Sequence, residues 1–200
     1  MESIRARGRP VRRVQRAKRG SASVGGVRSH SHNRLRLGHG RAIRRDPLAL
    51  LGHKQSNRTT GAVVMGRRAY AMGDPDSYVN NYEYQVPIFV LTHAVPERLP
   101  KQSESLTFTF VTDGIESAIR QARVAAGDMN ITVVGGASTF QQCINAGLVD
   151  ELHIDIKPLL LGEGLRLFEH LDPEPIELEI TSVIESPDVT HLRFRIVKGN

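Results

Sequence analysis

The pattern of apolar and polar positions divides the chain near residue 45. From residue 46 onward, short apolar runs bounded by glycine or proline alternate with helical periods. Segments 62–66 (AVVMG), 87–92 (PIFVLT), 107–112 (TFTFVT) and 131–134 (ITVV) predict buried strands. After the third of these, Ile115, Ala118, Ile119, Ala122 and Ala126 recur at i, i+3, i+4, i+7 and i+11, one face of a helix closed by Gly127. Asp113 and Glu116 have the spacing of a capping box at its start. A second short helix is predicted through Phe140, Cys143 and Ile144 to Gly147, with Ser138 and Gln141 as its capping box. Strand–helix–strand–helix order implies right-handed crossovers and a largely parallel sheet.

The last third of the chain alternates instead. Leu152, Ile154 and Ile156 interleave with His153, Asp155 and Lys157, so His153 is expected to face solvent. Ile176, Leu178 and Ile180 interleave with Glu177, Glu179 and Thr181. Leu192, Phe194 and Ile196 interleave with His191, Arg193 and Arg195, after a Ser186-Pro187-Asp188 turn. The last two runs predict an antiparallel hairpin with one wet face. The segment 159–168 (LLLGEGLRLF) reads as a loop with an apolar plug. The fold class is therefore α/β, a mixed, largely parallel sheet flanked by helices, in a domain spanning 46–200. No apolar run nears the roughly 20 residues that span a bilayer, so no membrane partner is expected.

Residues 1–45 show no sustained period and few residues able to anchor a core, which predicts a disordered arm. Charge sharpens the division. The arm carries 14 Lys and Arg against Glu2 alone, net +13, whereas the remaining 155 residues carry 13 bases and 20 acids, net −7. The overall +6 and the pI of about 9.9 thus belong to no folded unit. Three readings of the arm stand side by side: a basic tail for nucleic acid or an anionic surface, an Arg-rich organellar presequence, and out-of-frame translation of GC-rich coding sequence. No aromatic residue interleaves its arginines, which disfavours a nucleic-acid partner.

Candidate chemistry lies at three strand ends in the body. Gly135 and Gly136 follow an apolar strand, and Ala137, Ser138 and Thr139 open a helix. Glycine permits close backbone approach, and free N–H groups at a helix start favour phosphate. Gly66 ends another strand, with Arg67 and Arg68 in the turn that follows. Cations oppose the dipole at a helix start, and a bound anion would resolve the conflict. Thr92 and His93 follow a third strand. Ligands of open α/β sheets bind outside strand carboxyl ends, so the three together suggest an extended polyanionic ligand such as a dinucleotide. The histidines lack metal-ligand spacing, and Cys143 on an apolar helix face reads as a core residue.

The ordered set TGAVVMGRRAY, PIFVLTH and ITVVGGASTFQQCINAGLVDELHIDIKPLLLGEGLRLF resembles the dihydrofolate-reductase-like family. The nearer branch is the bacterial group similar to the C-terminal reductase domain of the riboflavin-biosynthesis deaminase-reductase. The resemblance covers roughly residues 59–198. It implies a cytoplasmic NADPH-dependent oxidoreductase acting on a small heterocyclic substrate, and suggests a homodimer. On the family pattern, Gly66, Arg67 and Arg68 match phosphate contacts, Thr92 and His93 fall at the adenosine 2′-phosphate, and Gly135 to Thr139 form the pyrophosphate loop. The Gly135–Gly136 bond is the counterpart of a cis peptide in related reductases. Ala69 stands where the family usually has threonine. The family's first central strand and its Leu-Asp-Gly loop have no match in residues 1–45, and a helix near 46–60 matches only in fragments. A missing first strand would leave the enzyme impaired, and the resemblance transfers no catalytic residue. The alternative function is binding through the basic arm with a vestigial reductase body, which predicts steep salt dependence.

Overall fold

In the computed structural model, which describes residues 35–38 and 58–198, the predicted apolar segments form one sheet. Its strands are β1 (Leu35–Gly38), β2 (Thr60–Gly66), β3 (Ile88–Leu91), β4 (Phe108–Val111), β5 (Asn130–Val134), β6 (Glu151–Ile156), β7 (Leu178–Ser186) and β8 (Val189–Ile196). Their order is β4-β3-β2-β5-β1-β6-β8-β7. The pairs from β4 through to β6 are parallel, and β6-β8 and β8-β7 are antiparallel. The mixed sheet and the terminal hairpin both follow the hydrophobic pattern. The described residues all fall within one unit, Ser31–Asn200.

The expectation that the first central strand is missing is overturned. β1 pairs in parallel with both β5 and β6, Leu37 standing between Val133 and Leu152. The two flanking strands each present a row of backbone donors and acceptors to the gap between them, and β1 pairs with four residues of β5 and two of β6. The segment Leu35-Arg36-Leu37-Gly38 escapes sequence reading because it has two apolar residues rather than a continuous run. These residues belong to the sheet, although they lie inside the 1–45 bounds of the expected arm. The rest of that arm lies outside the described residues. So does the expected helix near 46–60, apart from Arg58 and Thr59, which are helical, and Thr60, which begins β2.

The pleat of β2 feeds two cores. Ala62 and Val64 join Ile131, Val133, Phe140 and Cys143 under α2 (Ile115–Ala126) and α3 (Ala137–Asn145). Val63 and Met65 join Ile88, Val90, Val134 and a tyrosine-rich cluster on the other face. Ile115, Ala118, Ile119, Ala122 and Ala126 are all buried, as the helical period predicts. Burial pushes the Cys143 thiol up to about 12, consistent with a core residue. α2 is capped by Gly114 (φ 101°) rather than Asp113, so the capping box is not made. Glycine alone adopts that angle readily, and it carries the chain from β4 into the helix.

Candidate functional site

Because β2, β3 and β5 run parallel, their carboxyl ends share one edge of the sheet. Met65 pairs with Val134 and with Val90, and Gly66 pairs with Leu91. The three predicted loops therefore lie side by side, two of them touching. A β-carbon at Gly66 would stand 2.4 Å from Thr139 Oγ1, and one at Gly135 would stand 3.2 Å from the Gly66 nitrogen and 3.8 Å from the Ala69 β-carbon. Glycine at both positions lets the two loops close against each other.

Each of the two touching loops opens a helix with glycine as its cap. Gly66 caps α1 (Arg67–Tyr70) and Gly136 caps α3, and neither start has a side-chain cap. The Ser138–Gln141 capping box is thus not formed. Ser138 lies inside the helix and accepts from Gln142 Nε2 at 3.3 Å, and buried Gln141 donates to the Arg166 and Leu167 carbonyls at 3.2 and 3.1 Å. Gly136 holds φ −75° and ψ 170°, ordinary extended backbone, and the described residues contain no cis peptide bond. The expected cis Gly135–Gly136 bond is therefore absent. The turn is closed with dihedrals that need no isomerisation.

Arg67 and Arg68 are exposed in the first turn of α1, where no acidic residue accompanies them. Thr139 is buried behind the junction, whereas Gly136 and Ser138 are exposed and Ala137 half-buried. Thr92 is buried, and its hydroxyl donates to the Ala94 carbonyl at 2.9 Å, so it closes the turn after β3. His93 beside it is exposed. The arrangement offers two uncapped helix starts, two arginines and close-approach glycines along one edge, which suits an extended phosphate-bearing ligand.

Next to this edge opens a cavity of about 510 Å³ that the sequence reading missed. Gly135, Gly136, Arg68, Met72, Tyr78 and Tyr82 are among its walls. All four tyrosines lie in one stretch, 70–84, and that density was the available signal. Tyr70 and Tyr78 stack at 5.9 Å, and the Tyr78 hydroxyl donates to the Tyr70 carbonyl at 2.8 Å. Leu165 also lines the cavity. The apolar-plug reading of 159–168 is correct only in part: Leu167 packs on the core, whereas Leu159, Leu160, Leu161 and Leu165 are exposed. The expected solvent-facing His153 is instead mostly covered, with Nε2 3.6 Å from Glu151 Oε2. Among the described residues, no group of three His, Cys, Asp or Glu is placed to hold a metal.

Comparison with known proteins matches the model of the RibD C-terminal domain over residues 37–192. A match of 41% identity joins 59 residues, 30% of the chain, to 31% of YyaP of Bacillus subtilis, and one of 25% joins 123 residues, 62% of the chain, to 67% of YwjB of the same organism. The chain thus spans about a third of the first relative and two thirds of the second. Solved structures share the fold at low identity. A Shewanella sp. PV-4 protein named for riboflavin biosynthesis superposes with a TM-score of 0.62 at 18% identity, over 84% of this chain and 100% of that one. The Thermotoga maritima diaminohydroxyphosphoribosylaminopyrimidine deaminase/5-amino-6-(5-phosphoribosylamino)uracil reductase gives 0.60 at 15% identity, over 82% of this chain and 57% of that one. Riboflavin biosynthesis reductase Rib7 of Saccharomyces cerevisiae gives 0.56 at 11% identity, over 86% and 93%.

Proposed function

The chain belongs to the RibD C-terminal domain family, and from that premise we propose that it is an NADPH-dependent reductase transferring hydride to a small heterocyclic substrate. The observation that carries this reading is the contact of the two glycine-capped loops at the ends of β2 and β5. A side chain on Gly66 would fill that junction, and the backbone N–H groups opening α1 and α3 face the same edge. The residues fit a nicotinamide dinucleotide: Gly66, Arg67, Arg68 and Gly135 to Thr139 would hold its phosphates. The loop of Thr92 and His93 would meet the 2′-phosphate that separates NADPH from NADH. When bound, the cofactor supplies the hydride; the chain binds it, orients it and keeps water from the cavity beside it.

Titration of the purified chain with NADPH, followed by reduced-nicotinamide fluorescence, tests the reading. Saturable binding with weaker binding of NADH is expected. Absence of saturation, or equal affinity for the two, would falsify it. The proposal includes a cytoplasmic setting, on the strength of the family alone; among the described residues no helix is long and apolar enough to cross a membrane.

A homodimer forms part of the same proposal. Leu178, Ile180 and Val183 pair with Ile196, Phe194 and Leu192, so they extend the α3-covered sheet face out to edge strand β7. There they remain exposed, Ile180 at 64%. Contiguous apolar surface at a sheet edge favours association, and a second copy of the same strip is its partner in this reading.

A further inference from the structure

The segment that follows β6 leaves the sheet at the same carboxyl edge as the site, because β6 and β5 both run parallel to β1 between them. It returns to the body at Arg166 and Leu167, whose carbonyls accept from Gln141 on α3, and Leu167 and Leu171 pack on the core. On the same helix, the Asn145 amide donates to the His170 carbonyl at 2.9 Å and accepts from the Asp172 N–H at 3.4 Å. Both ends of the segment are therefore fixed. Among the described residues, the one hydrogen bond made from Pro158 to Leu165 runs from the Leu159 N–H to the Lys157 carbonyl, 2.8 Å away.

This free stretch has length to spare. β5 and β6 lie two strand spacings apart, about 10 Å, whereas the chain from Ile156 to Arg166 reaches about 33 Å when extended. Even with the climb from the sheet to the helix layer, it carries slack. Gly162 holds φ 77°, which glycine alone adopts readily, and neither Gly162 nor Gly164 has an atom within 4 Å of a β-carbon's position. The stretch has pivots and open space around them.

Its side chains are at odds with their surroundings. Leu159, Leu160, Leu161 and Leu165 are exposed, Leu160 at 99%. Four leucines left in water forgo the burial that drives folding, and apolar surface of that kind marks something it covers or contacts. The cavity offers such surface within reach, for Leu165 is already one of its walls, with Gly135 and Gly136. Its other wall, the segment after β2, presents Tyr78, Tyr82 and Met72, the last itself 79% exposed. Unburied apolar side chains thus stand on both walls of one opening.

We propose that Pro158–Leu165 is a lid that closes over this cavity when the nicotinamide end of the cofactor occupies it, an assignment that rests on the NADPH reading above. In the free chain the lid stands open, because an empty space of about 510 Å³ gives the leucines nothing to pack on. A bound ring fills part of that space and supplies the contacts that only the closed form makes, which is what shifts the equilibrium. The leucines then swing about Gly162 and Gly164 towards Met72, while the bonds from Gln141 hold residues 166 and 167 as the fixed end. Closure buries apolar surface on both walls together and keeps water from the place where hydride is transferred.

The test uses the full chain with two exposed positions changed, Leu160→Cys on the lid and Ala71→Cys beside Met72. Each carries a gadolinium spin label, which NADPH does not reduce, and buried Cys143 stays unlabelled. The labelled chain is diluted in unlabelled chain, so that pulsed EPR reads distances within one copy. Spectra are taken without cofactor and at saturating NADPH, with binding followed separately by nicotinamide fluorescence. The distance between the two labels should shorten with NADPH by about 5 Å or more, at least one strand spacing. A control pair, Val124→Cys on α2 with Ala71→Cys, should keep its distance; Val124 is 82% exposed. An unchanged or longer lid distance with NADPH bound overturns the lid and leaves the reductase reading standing. An equal shift in both pairs does the same, since it would be movement of residue 71 and not of the lid. Failure of NADPH to bind overturns both.

Discussion

Gly66 and Thr139 stand so close that a β-carbon on the glycine would lie 2.4 Å from the threonine hydroxyl oxygen. This contact joins the loops after β2 and β5, and it depends on an absent side chain in one loop and a buried one in the other. Gly66→Ala should therefore destabilise the fold by about 1–3 kcal/mol through overpacking. Gly66 has φ −76°, so backbone strain contributes nothing. Adding Thr139→Ala should recover much of the loss. Urea unfolding of the single and double variants measures that coupling, and additive losses would show that the contact is not the cause.

Gly136 separates folding from binding. It caps α3, has no atom within 4 Å of a β-carbon, and holds an extended backbone. Gly136→Asp should leave stability unchanged or slightly raised, because aspartate is a good helix N-cap. The same carboxylate would repel a phosphate at that helix start, so NADPH affinity should fall at least about tenfold. Thermal unfolding and cofactor titration on one preparation check both halves.

Cys143 and Tyr78 make the fold sensitive to alkali. Burial pushes both pKa values up to about 12, from the usual 9 and 10, so the folded state keeps protons that the unfolded state has lost. Their contribution to stability is present below pH 9 and is lost as pH rises through 12. Urea midpoints should fall over that window, less steeply for Cys143→Ala and Tyr78→Phe. At pH 8 the Cys143 thiol should react with a disulfide reagent only after unfolding.

The strip on β7 predicts the assembly state. Ile180→Asp places a charge in exposed apolar surface without touching the α1–α3 junction, so NADPH binding should persist while the dimer dissociates. Light scattering after size exclusion distinguishes the outcomes. A wild-type monomer would contradict the proposed dimer.

The parts of the fold that were legible in the sequence are those where local pattern and tertiary environment agree. Short runs of apolar and other strand-favouring residues gave β2, β3, β4 and β5, and the helical period gave α2 with its buried face intact. β1 was invisible because its place is set by two neighbouring strands rather than by its own apolar content. Both capping boxes failed for a related reason. Gly114 and Gly136 take the cap positions, and Gln141 is needed to hold the 166–167 backbone. The site loops could be found because glycines and arginines at strand ends are local signals. The cavity could not, since it depends on register between segments far apart in the chain.

The most direct test of the central claim is calorimetric titration of the wild-type chain and of Arg67→Ala/Arg68→Ala with NADPH and NADH. Both arginines are exposed, so the variant should fold normally. The account predicts one NADPH site per chain, binding at least about tenfold tighter than NADH. It further predicts a loss of about 10- to 100-fold in the variant, the scale of charge-assisted phosphate contacts. Wild-type protein that releases no saturable heat with NADPH, or a variant that binds it as tightly as wild type, would contradict it.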